Sequence, residues 1–393
     1  MKTNSIMETD RTYVANTYAR FPLEIVSGKG SIVYGSQGKE YIDMGSGIGV
    51  TAFGIADDKW QAAVTEQLGK LQHMSNLYYT EPCAELAKQL CQRTGMRKVF
   101  FANSGGEANE CAIKVARKYA AEKKGPEHFT IITLKNSFHG RTLTTLAATG
   151  QEHYHELFQP LTPGFAYAEA GDIQGLKKLA RETKAAGILM ECVQGEGGVN
   201  VLDGDFVRQT AEFAKENDIM LMIDEVQTGN GRSGMLYSYM NYGIVPDVVT
   251  TAKGLGGGLP LGAALMGKKC ESVLGHGDHG STFGGNPVCC AGALSIINRI
   301  DERLLSEVRE KSAWVFAELD GAPGVEAVSG LGLMIGVKSA CKTAGEVVEL
   351  CMEKGVLCLT AKDKVRLLPA LNIPRDCLEK AVAVLKEACA PEE

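Results

Sequence analysis

Lys253 stands where a run of small and β-branched residues, DVVTTA, gives way to a glycine-rich stretch, GLGGG. A lysine at such a junction is placed by rigid backbone on one side and met by bare, closely approaching backbone on the other. That pattern points to burial at a site rather than to a solvated surface charge. The glycines do not make a dinucleotide fingerprint, because the third glycine position is Leu259. Nor does GAALMGKK, from Gly262, make a P-loop, because Lys269 occupies the place of the magnesium-binding hydroxyl.

Asp224 and Glu225 follow an apolar run in IMLMIDEVQTG and are expected at the carboxyl end of a buried strand, where an open α/β sheet faces its ligand crevice. A buried carboxylate needs a cationic partner. A structural salt bridge is one reading and a protonated pyridine nitrogen is the sharper one, since that pairing keeps the ring able to absorb electrons. Gln227 then lies close enough for a ring hydroxyl. In VFFANSGGEANE a strand runs through Ser104, Gly105 and Gly106 into a helix, whose first N–H groups suit a phosphate; a plain N-cap by Asn103 or Ser104 is the alternative. In NSFHGRT, Phe138 and His139 can pack on a flat ring and Arg141 can clamp a carboxylate. His139, His276 and His279 show no metal-ligand spacing, so no metal is expected.

Strand-like segments alternate with helical ones: VFFA, then CAIKVARKYAAEKK, FTIITL, a helix around GLKKLARETK, GILMECV, a helix near 205–216, IMLMIDE and DVVTTA. This alternation predicts βαβ units and an α/β fold with a mostly parallel sheet. From about residue 300 long amphipathic helices with short strands between them predict a smaller α+β domain, so the division expected is a large domain over 51–295 and a small one from 1–50 with 296–393. The net charge of -6 carries no basic stripe and no polybasic segment, which leaves small molecules as the expected partners. Twelve cysteines without a C-x-x-C pair read as reduced, buried thiols, and the N-terminus shows no apolar leader segment, so a cytoplasmic location is expected.

Together these pieces resemble the class III, or ornithine-type, aminotransferases of the pyridoxal-phosphate fold type I group. The resemblance is carried in order by RFPLEIVSGKGSIVYGSQGKEYIDMGSGIGV, FFANSGGEANE, SFHGRT, ECVQGEGGV, IDEVQTGNGRSG, TTAKGLGGG, GSTFGGNP and VRLLPALNI. It implies a large domain with a seven-stranded sheet, pyridoxal 5'-phosphate as cofactor, and ping-pong transfer of an amino group to 2-oxoglutarate. It implies that Lys253 forms a Schiff base with the cofactor and then moves the proton between Cα and C4', which needs a neutral amine of the kind burial favours. Asp224 would pair with the pyridinium nitrogen, with Glu225 and Val226 beside it, Phe138 would stack on the ring, and Gln227 would touch the 3-hydroxyl. Ser104, Gly105 and Gly106 would hold the phosphate, joined by Thr282 from the other subunit of a homodimer, with Ser281 near the substrate. Arg141 would bind a substrate carboxylate, and Arg366 would pair with Glu196 in a switch that opens for the second carboxylate of glutamate. Two departures stand out: Gly106 replaces a threonine usual in the family, and FGIADDKW, 53–60, replaces a Gly-His-x-His-Pro stretch.

Overall fold

Short aliphatic runs with every residue buried form the centre of the molecule in the computed structural model, which describes residues 5–391. The outermost residues of the expected small domain, 1–4 and 392–393, lie outside that range. In chain order the strands of the main sheet are β1 (Lys98–Ala102), β2 (Thr130–Leu134), β3 (Phe165–Ala168), β4 (Ala185–Met190), β5 (Met220–Asp224), β6 (Val248–Thr251) and β7 (Gly262–Met266). They lie side by side as β1-β7-β6-β5-β4-β2-β3. β7 alone runs against its neighbours, so the sheet is mixed but mostly parallel, as expected. β2, β4, β5, β6 and β7 are buried along their whole length, which is why they read as continuous apolar runs rather than as alternations.

Helices cover the faces, among them α1 (Asp58–Leu68), α2 (Gly105–Lys124), α3 (Leu143–Ala148) and α4 (Pro287–Ile297). α2 follows β1 directly and buries Ala108, Cys111, Ala112, Val115 and Ala116 against the sheet. A second, antiparallel sheet joins Val325–Leu331, Met334–Ser339, Lys364–Leu367 and Leu359–Ala361. A third, made by Ile25–Lys29, Ile32–Gly35 and Glu40–Asp43, is completed by Val356–Leu357, so the N-terminal strands hydrogen-bond to the C-terminal part of the chain. All twelve cysteines are free, but Cys341 is exposed and Cys83, Cys91 and Cys377 are half-buried, a departure from the uniformly buried set expected. No described helix is long and apolar enough to cross a membrane.

Candidate active site

The parallel strands deliver their chemistry at one edge. Ala102 leads to Ser104, Leu134 to Phe138 and His139, Met190 to Glu191, and Thr251 to Lys253, while Asp224 is itself the last residue of β5. Pairing sets Asp224 beside Thr250 and Ile223 beside Met190, so the residues following β4, β5 and β6 converge. They enclose a cavity of ≈ 420 Å³ lined by Ser104, Gly105, Gly106, Phe138, Asp224, Val226, Gln227 and Lys253. A larger hollow of ≈ 890 Å³ lies under the N-terminal segment, but no lysine is among the described residues that line it.

Lys253 is held with φ at 45°, in the left-handed region that a lysine rarely adopts. Burial lowers its pKa, against the pull of Glu196, so its amine is biased toward the neutral, nucleophilic form. Asp224 is 3% exposed, and three donors meet its two oxygens, leaving one acceptor position on Oδ1. Val226 N donates to Oδ1 at 2.9 Å, and Asn109 Nδ2 donates to Oδ2 at 2.8 Å. His139 Nδ1 also meets Oδ2 at 2.8 Å, while its Nε2 is buried without a partner, which assigns the proton to Nδ1. Asn109 is tied in turn by Thr250 Oγ1, which donates to its Oδ1 at 2.6 Å. His139 therefore props the Asp224 carboxylate.

Glu191 sits behind this group, accepting from Phe138 N at 3.0 Å. Burial pushes its carboxyl from the usual 4.5 up to about 7, opposed by His139. The folded state thus holds a proton that the unfolded chain releases, so this stabilisation is complete below the usual glutamate value and is lost as pH rises through about 7. Glu191→Gln should flatten that loss, which amounts to at most about 3 kcal/mol. Urea denaturation of both proteins between about pH 5 and pH 8 checks it; parallel profiles would count against it.

At the phosphate end, Ser104 Oγ accepts from Glu107 N at 3.2 Å and so caps α2, as the plainer reading held. The same residue lines the cavity, so both readings of this turn apply. The N–H groups of Gly105 and Gly106 find no main-chain acceptor among the described residues. A Cβ on Gly105 would lie 2.6 Å from Val226, so only glycine fits there. At Gly106 nothing stands closer than 3.9 Å.

Arg366 Nη1 donates to Glu196 Oε1 at 2.6 Å and to Gln227 Oε1 at 3.1 Å. Gln227 Nε2 donates to Glu196 at 3.3 Å, so both ends of that amide serve the ion pair. Burial raises the pKa of Glu196, but Arg366 outweighs it and the net shift is downward. Arg366 Nε is buried and unpartnered.

Other expected residues lie elsewhere. Glu225 faces away from the cavity and accepts from Thr228 Oγ1, Ser238 Oγ and Tyr239 N. Arg141 is exposed and does not line the cavity; its guanidinium lies over the rings of Tyr154 and of Phe138, the second of which does. Ser281 Oγ accepts from Asn103 Nδ2 at 3.2 Å at the cavity edge, while Thr282 points outward on an exposed loop. The departing segment 53–60 proves relevant: Trp60 Nε1 donates to Gly256 O at 3.1 Å and packs against Gly257, bracing the glycines after Lys253.

The arrangement fits pyridoxal phosphate: an amine without a salt bridge among the described residues, a buried carboxylate with one acceptor position open, and bare N–H groups at a helix start. The family description "Aminotransferase class-III" matches residues 13–389. The chain is 48% identical over 388 residues to the acetylornithine aminotransferase of Haemophilus ducreyi, covering 98% of this chain and 99% of that one. It is 41% identical to that of Methanocaldococcus jannaschii, with 98% of each covered. Among solved structures it is similar to the N-acetylornithine aminotransferase of Stenotrophomonas maltophilia, with a TM-score of 0.85, 31% identity and 98% of each chain covered. It is also similar to the ornithine aminotransferase of Toxoplasma gondii, with partial occupancy of PLP at its active site (TM-score 0.92, 29% identity, 98% and 93% covered).

Proposed function

The chain belongs to the class-III aminotransferases, and we propose that it transfers the δ-amino group of N2-acetyl-L-ornithine to 2-oxoglutarate, giving N-acetyl-L-glutamate 5-semialdehyde and glutamate in arginine biosynthesis. The observation that carries this reading is the contrast between two arginines. Arg366 is closed by Glu196, whereas Arg141 makes no salt bridge among the described residues. A donor with one carboxylate needs only Arg141. Acetylation of its α-nitrogen removes a positive charge that free ornithine would bring toward the guanidinium. The names of the relatives, acetylornithine aminotransferase in each sequence comparison quoted, support the same donor.

Bound pyridoxal phosphate supplies an electron-poor ring that accepts the electron pair of a substrate C–H bond. Asp224 would hold the ring nitrogen protonated. Lys253 Nζ would take the proton from the amine-bearing substrate carbon and deliver it to C4' of the cofactor. Phe138 and Val226 would hold the ring and Gln227 would meet its hydroxyl, while the Gln227 amide steadies the Arg366–Glu196 pair. Gly105 and Gly106 offer their N–H groups to the phosphate. Residues 51–295 act as the cofactor-binding unit, with the remainder as the smaller domain. Thr282 completes the phosphate site from a second copy in a homodimer; Phe283, Tyr79 and Leu77, exposed beside it, give that contact an apolar surface. The enzyme is read as cytoplasmic.

Gly106→Thr should tighten cofactor binding by about tenfold, since a hydroxyl there gains a hydrogen bond to a charged phosphate in open space. Titration of the stripped protein with cofactor checks this, and unchanged or weaker binding would remove the argument. The function itself is tested by adding N2-acetylornithine, ornithine, succinylornithine, 4-aminobutyrate, N-succinyldiaminopimelate and glutamate one at a time to the holoenzyme and following the cofactor absorbance. Rapid conversion by acetylornithine and glutamate is expected. Conversion by another amine alone would move the substrate, and turnover without 2-oxoglutarate would indicate an intramolecular amine shift.

A further inference from the structure

We propose that Tyr154 is the positioning residue that holds Arg141 ready as the carboxylate receptor; this rests on the reading of Arg141 given above. The guanidinium carbon of Arg141 lies 4.2 Å from the centroid of the Tyr154 ring and 5.3 Å from that of Phe138, and the two rings meet edge to face with centroids 5.8 Å apart. Phe138 lines the cavity, so the stack carries Arg141 from solvent to the cavity wall.

Tyr154 is itself held in place. It ends a single tight turn, Glu152–Tyr154, between two buried anchors. Gln151 Nε2 donates to Ser137 O at 3.0 Å on one side, and His155 Nε2 meets Leu146 O at 2.9 Å on the other. Since a carbonyl oxygen only accepts, His155 carries its proton on Nε2. The His153 ring packs on Tyr154 with centroids 3.9 Å apart. The turn is therefore pinned to the loop that bears Phe138 and to α3, which begins two residues after Arg141.

A guanidinium lying over an aromatic face is attracted by the ring while its in-plane N–H groups stay free. That leaves the fork of Arg141 open for two parallel bonds to a carboxylate. Without the ring, the long side chain would have to be ordered when substrate binds, a cost that preorganisation avoids. The carboxylate in question is the one distant from the reacting amine, present in both the donor and 2-oxoglutarate. Loss of Tyr154 should therefore weaken both substrates together, unlike a change at Arg366.

Steady-state kinetics of the holoenzyme with N2-acetylornithine and 2-oxoglutarate test this. Tyr154→Leu is expected to raise KM for both substrates about fivefold, the size of an exposed cation–π contact, with kcat within about twofold. Tyr154→Phe, which keeps the ring, should restore KM. If Tyr154→Leu folds poorly, Tyr154→Met takes its place with the same expected values. The proposal is overturned if KM stays at the wild-type value in the ring-less variant while Arg141→Ala raises it, or if Phe fails to restore it. It is also overturned if Arg141→Ala leaves both KM values unchanged, and in that case the reading of Arg141 fails as well.

Discussion

Lys253→Ala is expected to lower turnover by at least about 10⁴-fold with cofactor saturating, because it removes both the nucleophile and the group that moves the proton. No other lysine lines the cavity, so no neighbour can take over. The same variant should still bind cofactor, since Asp224, Gly105 and Gly106 are untouched. Rate measurements with acetylornithine and 2-oxoglutarate, paired with a cofactor titration, separate the two effects. Residual turnover within tenfold of wild type would contradict the assignment.

Arg366→Ala is expected to slow the glutamate half-reaction by about 10²-fold, the loss of a charge-assisted carboxylate contact, and to leave the acetylornithine half-reaction within about tenfold. The asymmetry follows from the ion pair. With a donor that carries one carboxylate, Glu196 would stay on Arg366; with glutamate, the second carboxylate would take its place. The geometry has the parts for this exchange, because Arg366 Nε is buried without a partner and Gln227 bridges the pair from the side. Alanine at 366 also leaves Glu196 without its cation, so a modest general loss accompanies the specific one. Stopped-flow rates for the two half-reactions decide it, and equal glutamate rates in wild type and variant would remove the switch.

Much of this was legible because buried parallel strands announce themselves. An apolar run that stops at a charged residue marks a strand end, and both Asp224 and Lys253 are such stops. Glu225 departs from the expected place beside the cofactor for a reason the sequence carries: adjacent residues at a strand end face opposite ways, so Asp224 toward the cavity means Glu225 away from it. Asn109 carried a usable signal, since it lies one helical turn after Gly105 on the same face of α2. Of the two glutamates in ECVQGEGGV, Glu196 drew notice through the resemblance, and Glu191, which supports Phe138, did not. Tyr154 and Trp60 had no local signal at all. Tyr154 reaches Arg141 through a turn thirteen residues on, and Trp60 reaches Gly256 across 196 residues. Such contacts follow from tertiary packing, which no periodicity encodes. The role proposed for Thr282 would need a second copy, and one chain does not test it.

The central claim is that Lys253 carries the cofactor in this cavity. Reduction of the holoenzyme with borohydride, digestion and mass mapping tests it most directly. The cofactor mass should appear on the peptide containing Lys253 and on no other lysine. Its appearance elsewhere, or its absence from Lys253 in protein that binds the cofactor, would contradict the account.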